Sequence, residues 1–348
     1  MNFSRLLLIP AIIWGSLSFG RAQTTVEVDF DAPDPTVKVE KIVPLETSKS
    51  CFIDRTFRIK IADEYIFAQD MSQILIFDRN GKYLSKVKQV GHGPQEYIGI
   101  VDFCYHNGEL YSLPIGGNKI PVYSLQGQFK RSLLLKIPAE SFLITDRLRL
   151  FKSAASKQGS LIIAGKNGKK ILQQIAPVIP QSTFSISALQ PLTQTGSSIY
   201  YLPDMRSEIY QISPDGTDIQ TTRLDFGSHT MTEDYVKRLE QRGFLEKLKK
   251  DEVACFLNFH PTREWWGVAF AMGDDSYRWY YRPSDGKQHL EKIAEGSTSK
   301  LLASSTADCF VEAADALSFL ENPRYASLRD QVSVTETDNP VLIFYSIR

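Results

Sequence analysis

The sequence predicts an all-β fold, a six-bladed β-propeller built from four-stranded antiparallel blades. Three observations carry this. A strand-turn-strand unit recurs four times along the chain. Its spacing follows a period of about 45 residues. Two further short apolar strands precede each unit, which makes four strands per repeat, here labelled a to d.

The clearest copy lies within residues 73–105, QILIFDRNGKYLSKVKQVGHGPQEYIGIVDFCY. Ile74 and Ile76 alternate with Leu75 and Phe77, so the segment is apolar on both faces, as in a strand inside a packed sheet. Asp78-Arg79-Asn80-Gly81 is a turn signal, because Asn and Gly tolerate positive φ. Related units begin at Ile120 (IPVYSLQGQFK), Ile209 (IYQISPDGTDI) and Arg278 (RWYYRPSDGKQHL). Gly81 to Gly127 is 46 residues, Gly127 to Gly216 is 89, and Gly216 to Gly286 is 70. The last interval is one repeat plus an insertion. That insertion shows a capping-box pattern, Thr230-x-x-Glu233, then Tyr235, Leu239, Phe244, Leu245 and Leu248 at helical spacing among charges.

The blades fall at about residues 55–90, 100–137, 147–178, 187–226, 256–293 and from 301 onward. Blade 3 is degenerate, and Gly168 fits either its b–c or its c–d turn. Blade 6 contains a helical stretch at 314–329 and returns as strand c at 341–346, VLIFYS, without a strand d of its own. Residues 37–45, VKVEKIVPL, are a strand without a blade. Pairing the two closes the ring and removes the open edge.

Residues 1–22 read as a signal peptide: Arg5, the apolar run from Leu6 to Trp14, and Gly20-Arg21-Ala22 before a mature chain, 23–348, that forms one propeller domain. The apolar run is short for a permanent span, and the first cysteine is Cys51, so no lipid-anchoring cysteine follows the cleavage site. The chain is expected in the periplasm or secreted, with no membrane span when mature. Lys+Arg and Asp+Glu are 40 each; this balance argues against a nucleic-acid binder. Cys51, Cys104, Cys255 and Cys309 form no CxxC pair and sit among apolar residues, as buried cysteines do. Their pairing is open. The five His residues lack ligand spacing, and no G-x-S-x-G, H-E-x-x-H or P-loop is present. No metal, cofactor or catalytic residue is signalled, and the chain is expected to be monomeric.

The elements Gly91, Gly93, Pro94, Glu96 and Tyr97 (G-x-G-P-x-E-Y), Pro44-Leu45-Glu46-Thr47 and Asp338-Asn339-Pro340 resemble a family of six-bladed propellers exported by Bacteroidetes-type bacteria, relatives of the NHL-repeat propellers. The resemblance covers nearly the whole mature chain. It implies a cell-envelope setting alongside glycan or peptide handling, and no particular activity. Many members are lipoproteins; this chain departs in lacking their cysteine.

Antiparallel blades put the b–c and d–a loops on one face of the disc. Candidate ligand-binding residues on that face are Asp70, His92, Glu96, Asn118, Asp204, Arg206 and Asp274. Each has a structural rival. Asp70 and Asp204 suit Asx-type turns, Glu96 suits bonds to backbone N–H groups of its own loop, and His92 and Arg206 suit solvated loops. Asp274-Asp275 lacks calcium-loop spacing. The crowd of Trp265, Trp266, Trp279, Tyr280 and Tyr281 is core unless one ring stays exposed to stack on a sugar. The preferred function is non-catalytic binding of a small molecule, glycan or protein partner on this face. The alternative is a lactonase-type hydrolase or lyase, which needs Asp70, His92 and Asp204 to meet around a channel metal. A third reading, partner docking through the helical insertion, needs Leu239, Phe244 and Leu248 exposed.

Overall fold

The computed structural model describes residues 23–54, 58–93, 96–153, 159–176, 187–239, 242–293 and 302–348. The expected signal peptide lies outside them. Six sheets form the ring. Blade 1 runs over 58–87, blade 2 over 100–134, blade 3 over 141–175, blade 4 over 192–225 and blade 5 over 255–293. Blade 6 is made of Leu302–Ser305, Phe310–Ala314, Val341–Ile347 and Val37–Pro44. Every blade is antiparallel from a to d, and strand a is innermost. Neighbouring a strands touch around the axis: Lys60 of blade 1 reaches Asp102 of blade 2, and Asp102 reaches Ser141 of blade 3. The Thr195 and Ser305 hydroxyls both donate to the Pro261 carbonyl at 2.8 Å, tying blades 4 and 6 to blade 5.

The ring closes as expected. Val37–Pro44 pairs antiparallel with Val341–Ile347, with Val43 opposite Leu342. Asn339 fastens the join. Its amide Nδ2 donates to the Glu46 and Cys51 carbonyls, each at 2.7 Å, and its Oδ1 accepts from the Ile53 N–H at 2.9 Å. The Asn339 N–H in turn donates to Thr47 Oγ1 at 2.8 Å. The two distant motifs of the sequence, Leu45-Glu46-Thr47 and Asp338-Asn339-Pro340, are therefore one contact.

The repeat glycines have two tasks. Gly81 and Gly127 hold φ of 82° and 76° in their c–d turns. Each also lies against the outer strand of the preceding blade, where a Cβ would overlap the carbonyl of Pro44 or of Lys86. Blade 3 starts at Ser141, earlier than its sequence suggested, and Gly168 belongs to its c–d turn.

Two features depart from expectation, and a third removes the support for docking through the insertion. Gln23–Glu27 adds a fifth strand to blade 4, parallel to Ile219–Asp225. The chain then crosses the outer strand of blade 5, where Gln288 binds the Glu27 carbonyl and the Asp29 N–H, and Leu290 N–H binds the Pro33 carbonyl, before joining blade 6. One arm thus straps three blades and covers an edge. The insertion is two short helices, α1 (Glu233–Arg238) and α2 (Phe244–Lys250). Its N-cap is Thr232, whose side chain accepts from the Tyr235 N–H, rather than Thr230. Thr230 instead bridges Phe226 N–H and Asp225. Finally, Phe244 and Leu248 are buried against the disc and Leu239 packs with them, so the insertion presents no free apolar stripe there. In blade 6, α3 (Ala316–Glu321) and a 3-10 segment, Pro323–Gln331, fill the b–c connection.

Asn339→Ala strips partners from a buried N–H and two carbonyls. It is expected to lower the unfolding free energy by about 2–4 kcal/mol, read by urea denaturation of the purified protein.

Candidate functional site

The b–c and d–a loops share one face, as parity requires. On it the crossing from blade 1 to blade 2 is pinched into a loop. The Gly91 N–H donates to the Tyr97 carbonyl at 3.1 Å, and the Tyr97 N–H to the Gln89 carbonyl at 2.9 Å. Tyr97 is wedged between the blades among Phe67, Ile76 and Phe103, and its hydroxyl donates to the Ser72 carbonyl. Burial pushes that hydroxyl's pKa well up. Glu96 folds back so that its carboxylate accepts the Gly93 N–H at 2.7 Å. A side chain at Gly91 would strike that carboxylate, which would have to swing away from the Gly93 N–H.

Beside this loop lies a cavity of about 340 Å³. His92, Glu96 and Asn118, three of the seven nominated residues, line it together with Lys119 and Ser132. Aliphatic side chains stand around it. Ile98 is 60% exposed and lines it with Ile115. Met71 and Ile115 both lie close to Gly99, and Leu134, 71% exposed, is the strand partner of Lys119. The cleft has a mixed polar and apolar lining, with further aliphatic side chains at its margin.

The other four nominated residues go elsewhere. Asp70 closes its own b–c turn: Oδ1 accepts from the Ser72 and Gln73 N–H groups at 2.7 and 2.9 Å, and Oδ2 from the Gln73 amide at 2.7 Å. Asp204 pairs with buried Lys152 at 2.8 Å. Arg206 binds Glu233 of α1 at 2.7 Å, and Asp274 binds Lys249 of α2 at 2.5 Å. These last two pairs anchor the insertion to blades 4 and 5. Neither Asp70 nor Asp204 lines the cavity that holds His92. Among the described residues, no three His, Cys, Asp or Glu side chains come together to hold a metal. In blade 5, Trp265, Trp266, Trp279 and Tyr280 are buried, and Tyr281 stacks on Trp279 with ring centroids 5.2 Å apart.

Sequence reading missed the charged network at the channel mouth. Asp102 is buried and accepts from Lys60 Nζ at 2.9 Å, from the Ser141 hydroxyl at 2.6 Å and from two backbone N–H groups. Arg58 stands 3.8 Å from it. Burial alone would raise the Asp102 pKa, but Lys60, Arg58 and Ser141 outweigh it and hold the carboxyl below its ordinary value. Lys152 Nζ reaches Glu140 at 2.9 Å and the Ser187 hydroxyl at 2.8 Å besides Asp204. Arg58 also donates to the Leu189 carbonyl, and Gln190 Nε2 donates to the carbonyls of Ile59 and Ala303. The segment before blade 4 is thereby bolted to blades 1 and 6 across the axis. A second cavity, about 330 Å³, lies between blades 5 and 6. Its wall includes Glu312, held by Arg278 at 2.7 Å, by Arg324 and by the Tyr325 hydroxyl.

The model of one protein family matches residues 36–346. The chain belongs to that family, described as a domain of unknown function, DUF4934. Solved structures similar in fold to this DUF4934 chain include two from Bacteroides. One, from Bacteroides fragilis NCTC 9343 and provisionally described as an exported protein, has a TM-score of 0.80 at 17% identity, covering 94% of this chain and 100% of its own. The other, a duf4221 family member from Bacteroides vulgatus ATCC 8482, has a TM-score of 0.60 at 10% identity, covering 91% and 99%. Such identities speak for the fold alone. No curated protein sequence matches this DUF4934 chain. No helix among its described residues is long and apolar enough to cross a membrane.

Asp102→Asn leaves the part-buried Lys60 and Arg58 without their carboxylate and is expected to cost about 1–3 kcal/mol at pH 7. Because the native carboxyl's pKa is depressed, its contribution is full above about pH 4 and is lost as pH falls through the native value. The gap between variant and wild type should therefore narrow in acid, as measured by denaturation at pH 7 and pH 3.

Proposed function

We propose that this DUF4934 protein is an exported propeller that binds a peptide or an extended segment of a partner protein, without catalysis, in the cleft between the blade 1–2 crossing and blade 2. The observation that carries this is the cleft's make-up. Ile98, Ile115, Met71 and Leu134 offer apolar margins that lose water on contact. His92, Asn118, Lys119 and Ser132 offer donors and acceptors that suit a peptide backbone. A glycan is the weaker occupant, because the aromatic rings of blade 5 are packed away rather than presented to a sugar.

The catalytic alternative needs Asp70, His92 and Asp204 at one point, while Asp70 and Asp204 are engaged with Gln73 and Lys152. The expected setting is the bacterial cell envelope after removal of residues 1–22. The description of the Bacteroides fragilis structure as an exported protein supports this setting. The equal charge counts favour a partner other than nucleic acid.

An immobilised array of aliphatic-rich and polar peptides, with a glycan array beside it, tests the reading. Peptide binding is expected, and Ile98→Asp with Ile115→Asp should weaken it by about 100-fold while the melting curve holds. Binding that survives this double change, or glycan binding alone, would overturn the assignment.

A further inference from the structure

Two of the four methionines after Met1 and one of the four cysteines line a single small cavity. Met205 comes from the b–c loop of blade 4, Met231 precedes α1, and Cys255 opens strand a of blade 5. All three side chains are buried, and Phe244 and Leu248 of α2 pack in the same cluster. The cavity holds about 10 Å³, close to one water-sized sphere. A buried water wants two to four polar partners. Here the one charged residue in the lining is Arg206, whose guanidinium already binds Glu233 at 2.7 Å.

Met205 adopts a φ of 54°. Long side chains rarely occupy this left-handed region, and such backbone persists where surroundings enforce it, often at functional sites. Its neighbours Asp204 and Arg206 are tied to Lys152 and Glu233, so the loop sends a thioether inward between two anchored charges. Packing alone explains sulfur in a core. It does not require three sulfur-bearing residues from three separate segments to line one void.

We propose that this cavity is a Cu(I) site, with the Cys255 thiolate and the Met205 and Met231 thioethers as ligands. Soft thiolate and thioether donors select Cu(I). One thiolate and one Cu(I) form a neutral pair, which apolar walls tolerate. A divalent ion would leave a net charge there, and zinc sites draw on thiolate, imidazole and carboxylate donors instead. Without metal, the buried Cys255 side chain is a thiol, and the thiolate is the form that binds metal. On binding, the S–H bond breaks, a Cu–S bond forms and one proton leaves to solvent, with copper remaining Cu(I) throughout. The insertion then has a task besides packing, since it walls the site beneath α1 and α2.

The test is an anaerobic titration of the purified protein against the Cu(I) complex of bathocuproine disulfonate, with proton release followed in weak buffer. One Cu(I) per chain and one proton are expected, with no matching uptake of Zn(II). Cys255→Ala should weaken binding by about 100-fold, and the volume-conserving Met231→Leu by about 10-fold, each with an unchanged fold by circular dichroism. A protein that takes no Cu(I) from the chelator overturns the assignment. So does Met231→Leu or Cys255→Ala retaining wild-type affinity, because the metal would then sit elsewhere.

Discussion

A ring of blades needs its last blade fastened to its first, and here that rests on one buried amide. Asn339 holds the carbonyls of Glu46 and Cys51 and the N–H of Ile53, groups 286 to 293 residues away in sequence. Through them it fixes the strand Val37–Pro44 as the outer strand of blade 6. From that strand follow the seat of Gly81 against Pro44, the position of blade 1, and the blade 1–2 crossing that shapes the cleft. Loop closure over so long a span is costly in chain entropy, so the join combines a strand ladder with a fully satisfied polar group.

Charge is distributed unevenly over the loop face. Near the axis the ionic groups are paired and largely buried: Asp102 with Lys60, and Lys152 with Asp204 and Glu140. Over blades 4 and 5 the pairs Arg206–Glu233 and Lys249–Asp274 hold down the insertion. These charges serve inter-blade geometry, because each would be expensive to bury alone. The blade 1–2 cleft differs. Its lining residues His92 and Asn118 are exposed, and its margin is aliphatic. A contrast between a bonded centre and an amphiphilic margin is what a binding face would show.

Part of the candidate site was legible beforehand. His92, Glu96 and Asn118 were placed on one face by strand parity and do share a cavity. Asp70, Asp204, Arg206 and Asp274 were placed on the same face, yet their side chains are engaged with partners that only folding brings near. Ile98 and Ile115 escaped notice because an apolar residue in a loop reads as core until its exposure is known. Thr230 and Thr232 both resemble helix caps, and the choice fell to Thr232 because Thr230 is held by Asp225.

By itself the sequence determined the blade count, the turn glycines and the closing strand. Those features depend on local rules, namely the two-residue alternation of strands, the positive φ of Gly81 and Gly127, and a repeat length. The tertiary structure decided what no local rule encodes. It assigned Gln23–Glu27 to the edge of blade 4, where parallel pairing needs no turn to announce it. It brought Met205, Met231 and Cys255 to one cavity and divided the polar residues of the loop face into paired and open ones. Such outcomes turn on which side chains meet across blades, and distance in space is the one quantity that sequence order does not carry.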